Sequence, residues 1–106
     1  MIIELYKQLS KIDNNPILKQ LLRSATSIGA NVNEASAGQT KKDFASKMSI
    51  ASKEARETLY WLKLLSNSNW YTVDLSTQVK ESNELVKILT KIVKTSQENL
   101  KTNIKV

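Results

Sequence analysis

Apolar residues recur along this chain at alternating spacings of three and four, which is typical of helices that pack side by side in a bundle. The sequence predicts four such helices. The first is short, and its apolar edge consists of Ile2, Leu5, Leu9 and Ile12. The second extends from Pro16 to about Ala37, and its apolar seam consists of Leu18, Leu21, Ala25, Ile28, Val32 and Ala35.

The third and fourth helices carry longer seams of the same kind. The third follows Thr40, and its seam is Phe44, Met48, Ala51, Ala55, Thr58, Leu62 and Leu65. The fourth begins near Thr72 or Asp74, and its seam is Leu75, Val79, Ser82, Val86, Leu89, Val93, Ser96 and Leu100. Because a sustained period near 3.5 residues favours shallow, left-handed packing, we expect an all-α fold. It would be an up-down-up-down antiparallel four-helix bundle, left-handed, with a short first helix, formed by residues 1–106 as one domain.

Short polar segments separate these helices and predict their ends. Asn15 is placed as an N-cap with Pro16 at the first helical position. Gly38 is placed to end the second helix in a left-handed conformation. Thr40 and Asp43 resemble a capping box that begins the third helix. Both the second and third helices carry runs of small residues, which predicts that they pack closely as an antiparallel hairpin.

Composition narrows the chemistry that the chain can perform. Its 106 residues include two Gly, one Pro, no Cys and no His, so long helices are favoured and imidazole or thiolate chemistry is excluded. No apolar run approaches the roughly 18 residues of a membrane span, and the N-terminus lacks the pattern of a signal peptide. We therefore expect a cytoplasmic protein that uses no cofactor and no metal and is not an enzyme.

A polar stripe runs beside the seam of the second helix and consists of Arg23, Ser27, Asn31 and Glu34. At about 100° per residue these four fall within an arc of about 80°. The stripe is interpreted first as a structural network across a helix or subunit contact, with partners on the third helix at Glu54, Arg56 and Glu57. The alternatives are a contact to a ligand or nucleic acid and, least favoured, a catalytic group, since Ser27 has no suitable base.

Basic residues form a second stripe, on the last helix. The net charge is +6 and the pI is about 9.6, which suits an anionic partner. Six lysines fall within an arc of about 80° on that helix, interrupted by Glu84 and Glu98, and they are Lys80, Lys87, Lys91, Lys94, Lys101 and Lys105. Lys41 and Lys42, at the start of the third helix, could extend the stripe. It is either a solvated face or a surface that follows phosphates.

Two aromatic pairs could also contact a nucleic acid. Tyr60 and Trp61 could stack on bases, although packing at a bundle or subunit boundary is the preferred interpretation. Arg56 lies one turn before Tyr60 and could lie over its ring. Trp70 and Tyr71 fall in the third loop and are expected to cover the end of the bundle.

The run from Gln20 to Leu65 resembles the family of four-helix bundle proteins encoded in intervening sequences of bacterial 23S ribosomal RNA genes. That family is similar in turn to the accessory protein of diversity-generating retroelements. The elements that carry the resemblance are Arg23-Ser24-Ala25, Ser27-Ile28, Asn31-Val32, Glu34, Asp43-Phe44, Lys53 to Thr58 and Tyr60-Trp61-Leu62. Two departures are Ala35, where many relatives have Gly, and the shorter first helix.

The resemblance implies an up-down bundle that assembles into a homopentameric ring with a basic surface and no catalytic activity. In the retroelement relatives the ring binds nucleic acid and a reverse transcriptase. With the residues, it predicts a non-enzymatic homo-oligomer whose lysines bind RNA or DNA backbones electrostatically. The alternative is a protein–protein adaptor or structural ring with no nucleic-acid role. A short first helix would leave apolar surface of the third and fourth helices uncovered, and such surface is typical of association sites.

Overall fold

The computed structural model describes the backbone of residues 2–104 and the side chains of residues 2–101. Four helices account for all regular structure in this range, with no strand between them. They are α1 (Ile2–Ser10), α2 (Pro16–Ser36), α3 (Lys41–Asn67) and α4 (Ser76–Ile104). The predicted all-α fold with a short first helix is confirmed.

Polar side chains begin three of the helices, largely as predicted. The Asn15 side chain accepts a hydrogen bond from the backbone N–H of Ile17 at 3.0 Å. The Thr40 hydroxyl accepts one from the N–H of Asp43, also at 3.0 Å. At the start of α4 it is Asp74, rather than Thr72, that accepts from a backbone N–H, that of Ser76 at 2.9 Å. This hydrogen bond lowers the pKa of the Asp74 carboxyl below its ordinary value.

The predicted left-handed end of α2 at Gly38 is wrong. No glycine among the described residues has a positive φ, and the cap residue Ala37 keeps a right-handed conformation with φ −90°. Gly38 serves a close approach instead. A Cβ added there would lie 3.1 Å from the carbonyl oxygen of Ala35 and 3.4 Å from the Cβ of Asp43, so its small size lets the chain turn tightly from α2 into α3.

The predicted apolar edge of α1 is one residue too long. α1 ends at Ser10, and Ile12 lies in the following turn with 62% of its surface exposed. The hydrogen bond from the N–H of Ile12 to the carbonyl of Leu9 closes that turn and takes Ile12 away from the core. Leu5 and Leu9 remain buried, so α1 covers the bundle with little more than two turns.

α3 lies at the centre of the helix packing, with α2 and α4 against it and α1 against α2. α2 and α3 run antiparallel. Arg23 and Glu34 of α2 pair with Glu54 and Lys47 of α3, so α2 advances as α3 returns. The predicted α2–α3 hairpin is therefore present, while the left-handed sense of the packing stays a prediction.

The apolar core has two parts along the length of the bundle. The first lies where α1 is present and is formed by Leu5, Leu9, Leu18, Leu21, Leu62, Leu65 and Leu75. The second joins α2, α3 and α4 only and is formed by Ile28, Ala35, Met48, Ala51, Ala55 and Leu89. The described chain measures 57 × 21 × 17 Å with a radius of gyration of 16.1 Å, against about 13 Å for a compact domain of about 100 residues. It is a rod in which one half has fewer helices than the other.

Candidate nucleic-acid interface

The polar stripe of α2 meets α3 through Arg23. Its Nη1 lies 3.2 Å from Glu54 Oε2, its Nη2 pairs with Glu57, and its Nε donates to Gln20 Oε1 at 3.0 Å. Only 16% of the Glu54 side chain is exposed, so the guanidinium compensates a carboxylate that is largely out of water. The predicted pairing of Arg23 with Glu54 and Glu57 is confirmed.

The remaining members of the predicted network have other partners, and Glu34 finds its own across the α2–α3 contact as expected. Asn31 bonds within its own helix, donating to the carbonyl oxygen and the hydroxyl of Ser27 at 2.9 and 3.2 Å. Glu34 pairs with Lys47 at 2.7 Å, a partner that the sequence did not indicate. Arg56 is wrong as a network member, because it points to the opposite side of α3 and donates to the Thr90 hydroxyl of α4 at 2.8 Å. It therefore bonds to α4 rather than lying over Tyr60.

The lysine stripe of α4 lies on the surface. Lys80, Lys87, Lys91, Lys94 and Lys101 are all exposed, and so are Lys41 and Lys42 at the start of α3. Lys105 lies outside the described residues. The apolar seam of α4 is buried or half-buried from Leu75 to Leu100. This seam packs on the core, so the lysines are directed outward.

A second basic row, on α3, runs beside the α4 stripe and was missed by sequence reasoning. At about 100° per residue, Lys42, Lys53, Arg56, Tyr60 and Lys63 fall within an arc of about 80°. The Arg56–Thr90 hydrogen bond brings this row next to α4. The combined surface, called the basic face below, consists of Lys41, Lys42, Lys53, Arg56 and Lys63 on α3 and Lys80, Lys87, Lys91, Lys94 and Lys101 on α4.

Few carboxylates oppose these ten cations. Glu84 and Glu98 lie in the α4 row. The acidic residues of the middle of α3, Glu54 and Glu57, are turned toward α2, where Arg23 pairs with both. Both carboxylates of the middle of α3 are thus paired on its α2 side, whereas Arg56 lies on its α4 side.

The aromatic pair on α3 is divided between core and surface. Trp61 is half-buried against the first core cluster. Tyr60 is 58% exposed, so it does not pack inside its own bundle, and packing at a subunit boundary stays a prediction. The two rings meet edge to face, with centroids 5.0 Å apart and planes at 66°. Tyr60 therefore stands on the basic face with its ring supported by Trp61.

The second aromatic pair, Trp70 and Tyr71, lies in the loop between α3 and α4. This loop lies beside the turn between α1 and α2. The Tyr71 hydroxyl donates to Asp13 Oδ1 at 2.6 Å. Partial burial, followed by this hydrogen bond, raises the pKa of Tyr71 above its ordinary value. Trp70 is 50% exposed and lies beside Asp13, Asn14 and Asn15, so only Tyr71 fulfils the expectation that the pair covers the bundle end.

An apolar trough opens between α2 and α4 at the amino end of α1. Its volume is about 340 Å³, and it is lined by Ile2, Ala25, Ile28, Gly29, Ala55, Thr58, Glu81, Ser82 and Leu85. A Cβ added at Gly29 would meet no atom within 4 Å. Farther along α4, Ile88 is 56% exposed.

Two classes of site find no support in the described part of the chain. Residues 2–104 contain no helix that is long and apolar enough to span a bilayer. The same residues contain no group of three acidic side chains placed to hold a metal ion.

Comparisons with known proteins agree with the fold and with the resemblance noted from the sequence. A family model described as 23S rRNA-intervening sequence protein matches residues 1–94. A crystal structure at 1.70 Å of a protein with unknown function from the S23 ribosomal protein family, from Bacteroides thetaiotaomicron, is 42% identical, with a TM-score of 0.79 over 88% of each chain. No curated protein gives a significant match. The chain therefore belongs to the family of 23S rRNA-intervening sequence proteins.

Proposed function

We propose that this protein is a non-enzymatic nucleic-acid-binding protein whose basic face holds the phosphate backbone of RNA or DNA. The observation that carries the proposal is the pairing of two parallel rows of exposed cations on α3 and α4, with Arg56 joining them through Thr90. A single solvated helix face would not require cations on a second helix beside it.

The dimensions of the basic face suit a chain of phosphates. The α4 row from Lys80 to Lys101 and the α3 row from Lys42 to Lys63 each extend about 32 Å at 1.5 Å per residue. Charges along a nucleic acid recur every few ångströms, so each row can meet several phosphates. Both rows stand on helices held by the core, which fixes their spacing without a bound partner.

The expected mechanism is electrostatic. Lysines that contact phosphates displace counterions, and this gives affinity that depends steeply on salt and little on base sequence. We therefore propose binding that follows the backbone.

We further propose that copies of the chain assemble through the apolar trough, which repeats the basic face around a homo-oligomer. Gly29 and Ala25 allow close approach of a neighbouring helix, and Leu85 supplies apolar area. A pentameric ring is the arrangement that the family resemblance implies. Repetition multiplies weak phosphate contacts into avid binding, since later contacts are made at high effective concentration.

The second candidate is a protein–protein adaptor or structural ring in which the basic charge has no role. The trough favours it, because exposed apolar surface is typical of association sites. In that case a partner protein, such as the reverse transcriptase implied by the retroelement resemblance, would bind this chain without help from nucleic acid.

A pair of charge reversals separates the two candidates. Lys87→Glu with Lys94→Glu should weaken binding to generic RNA and to single-stranded DNA at least about tenfold for all sequences alike, because phosphate contacts carry no base information. The matched control is Lys11→Glu with Lys19→Glu, which changes net charge equally at exposed positions outside the basic face. Circular dichroism checks that both variants fold.

The outcomes are distinct. Equal weakening by both double variants would mean that net charge, not the basic face, governs binding. Loss for one sequence alone would contradict backbone binding. Wild-type protein that binds no RNA or DNA even at about 50 mM salt would leave the adaptor as the function.

A further inference from the structure

We infer that Tyr60 is a stacking platform for an unpaired base, so that the basic face takes single-stranded nucleic acid in preference to duplex. This inference rests on the proposed function and names the class of ligand. It starts from an exposed aromatic ring set among cations rather than among apolar neighbours.

Tyr60 lies in the middle of the basic face. Arg56 precedes it by one helical turn and Lys63 follows it by one turn, so cations flank the ring along α3. The Arg56–Thr90 hydrogen bond sets the antiparallel register of α3 and α4. One turn beyond Arg56, this register brings the turn of α4 that carries Lys87 to the level of Tyr60. Phosphates held by these three cations would pass the ring on both sides.

The Tyr60 ring is presented rather than packed. It is 58% exposed, while it meets the Trp61 ring edge to face at a centroid distance of 5.0 Å. Trp61 is in turn held by the first core cluster. A ring held by a neighbouring ring loses less conformational freedom on binding than a free side chain would, and its exposed part can receive a base.

The carboxylate that could repel a nucleic acid at this position is compensated. Glu57 lies one turn before Tyr60 on α3, and it pairs with Arg23 of α2. The Arg23 pairing therefore does two things, because it ties α2 to α3 and it removes a negative charge from the neighbourhood of the ring.

An exposed ring among cations would distinguish single-stranded nucleic acid from duplex. In a duplex the faces of the bases are already stacked on one another, so the ring gains nothing from them. In a single strand or loop the bases can turn out and stack on an aromatic side chain while lysines hold the backbone. RNA and DNA share this chemistry, and the experiment includes both.

The test compares Tyr60→Ala with Tyr60→Phe on strands of about 16 nucleotides, a length within the usual site sizes. The probes are single-stranded RNA, single-stranded DNA, an RNA duplex and an abasic DNA strand of equal charge. Tyr60→Ala should lose about 5- to 150-fold in affinity for the single strands, which corresponds to about 1–3 kcal/mol per stacked base. Tyr60→Phe should bind like the wild type, since the stacking face is kept.

Two controls separate this inference from the proposed function. The abasic strand and the duplex should bind Tyr60→Ala as they bind the wild type. Trp70→Ala removes an aromatic ring of similar exposure beside Asp13 and Asn14, away from the basic face, and it should leave all affinities unchanged. Because Tyr60 is exposed, its variants should fold, which circular dichroism verifies.

Unchanged affinity of Tyr60→Ala for single strands, with the lysine reversals still weakening all probes, would overturn the stacking role and leave the backbone proposal standing. Equal loss on the abasic strand would also overturn it, because the ring would then support the face rather than a base. Absence of binding to every probe by the wild type would overturn both proposals. Stronger binding of RNA than of DNA single strands, lost in Tyr60→Ala, would assign the ligand to RNA.

Discussion

At the scale of single residues, the position of each charge around its helix decides its role. Glu54 and Arg56 are two residues apart on α3, which separates them by about 200° around the axis. Glu54 therefore faces α2 and Arg23, whereas Arg56 faces α4 and Thr90. The sequence predicted that Arg23 pairs with carboxylates of α3. It could not predict that Glu54 faces α2 while Arg56 faces α4, because that depends on which helices pack on each side of α3.

Removing the Arg23 guanidinium tests the structural role of the polar network. Arg23→Ala leaves Glu54 and Glu57 without a counter-charge in a partly buried position, which should cost about 1–2 kcal/mol of unfolding free energy. For a chain of this size the melting temperature should fall by about 4–8 °C per kcal/mol. Differential scanning calorimetry measures it, with Lys19→Ala on the exposed side of α2 as the control.

Lys19→Ala should change the melting temperature little, since Lys19 is exposed. An Arg23→Ala protein as stable as the wild type would contradict the network and would point instead to a binding role for Arg23.

At the scale of elements, the apolar period predicted the helices and their buried seams but not how each helix ends. Met48, Ala55 and Leu62 are buried as their spacing required. The conformation of Gly38 and the exposure of Ile12 differ from the prediction, because the chain on both sides of a turn determines its shape. Gly38 lies close to Asp43 of the next helix, a contact that no pattern within α2 could reveal.

The apolar trough between α2 and α4 is open at Gly29, which allows its role in assembly to be tested. Gly29→Leu adds a side chain into open space and removes a helix-disfavouring residue, so protomer helicity should rise, with about 0.5–1 kcal/mol gained in unfolding free energy. If a second copy packs on the trough, the same change should reduce the molecular mass in light scattering at micromolar concentration to that of one chain.

Ala30→Leu is the matched control, because Ala30 is exposed on α2 about 100° away from Gly29. It should assemble like the wild type. Wild-type protein that is monomeric at micromolar concentration would dispose of the assembly proposal, and a Gly29→Leu variant of full oligomeric mass would move the contact elsewhere.

At the scale of the whole molecule, the basic face arises from the meeting of two helices. The α4 row could be identified from the sequence, because its lysines share one helix. The α3 row was missed, since Lys53, Arg56 and Lys63 gain meaning only beside α4. The exposure of Tyr60 could not be predicted for the same reason, because the side of α3 left open to solvent is set by where α2 and α4 pack.

The most direct test of the account is the salt dependence of nucleic-acid binding by the wild-type protein. If the basic face engages roughly five phosphates of a single strand, the logarithm of affinity should fall with the logarithm of salt at a slope of about −3.5. Affinity should then drop about 100-fold between about 50 and about 200 mM salt. A slope near zero, or no binding at the lower salt, would contradict the central claim that the basic face holds nucleic acid by its phosphates.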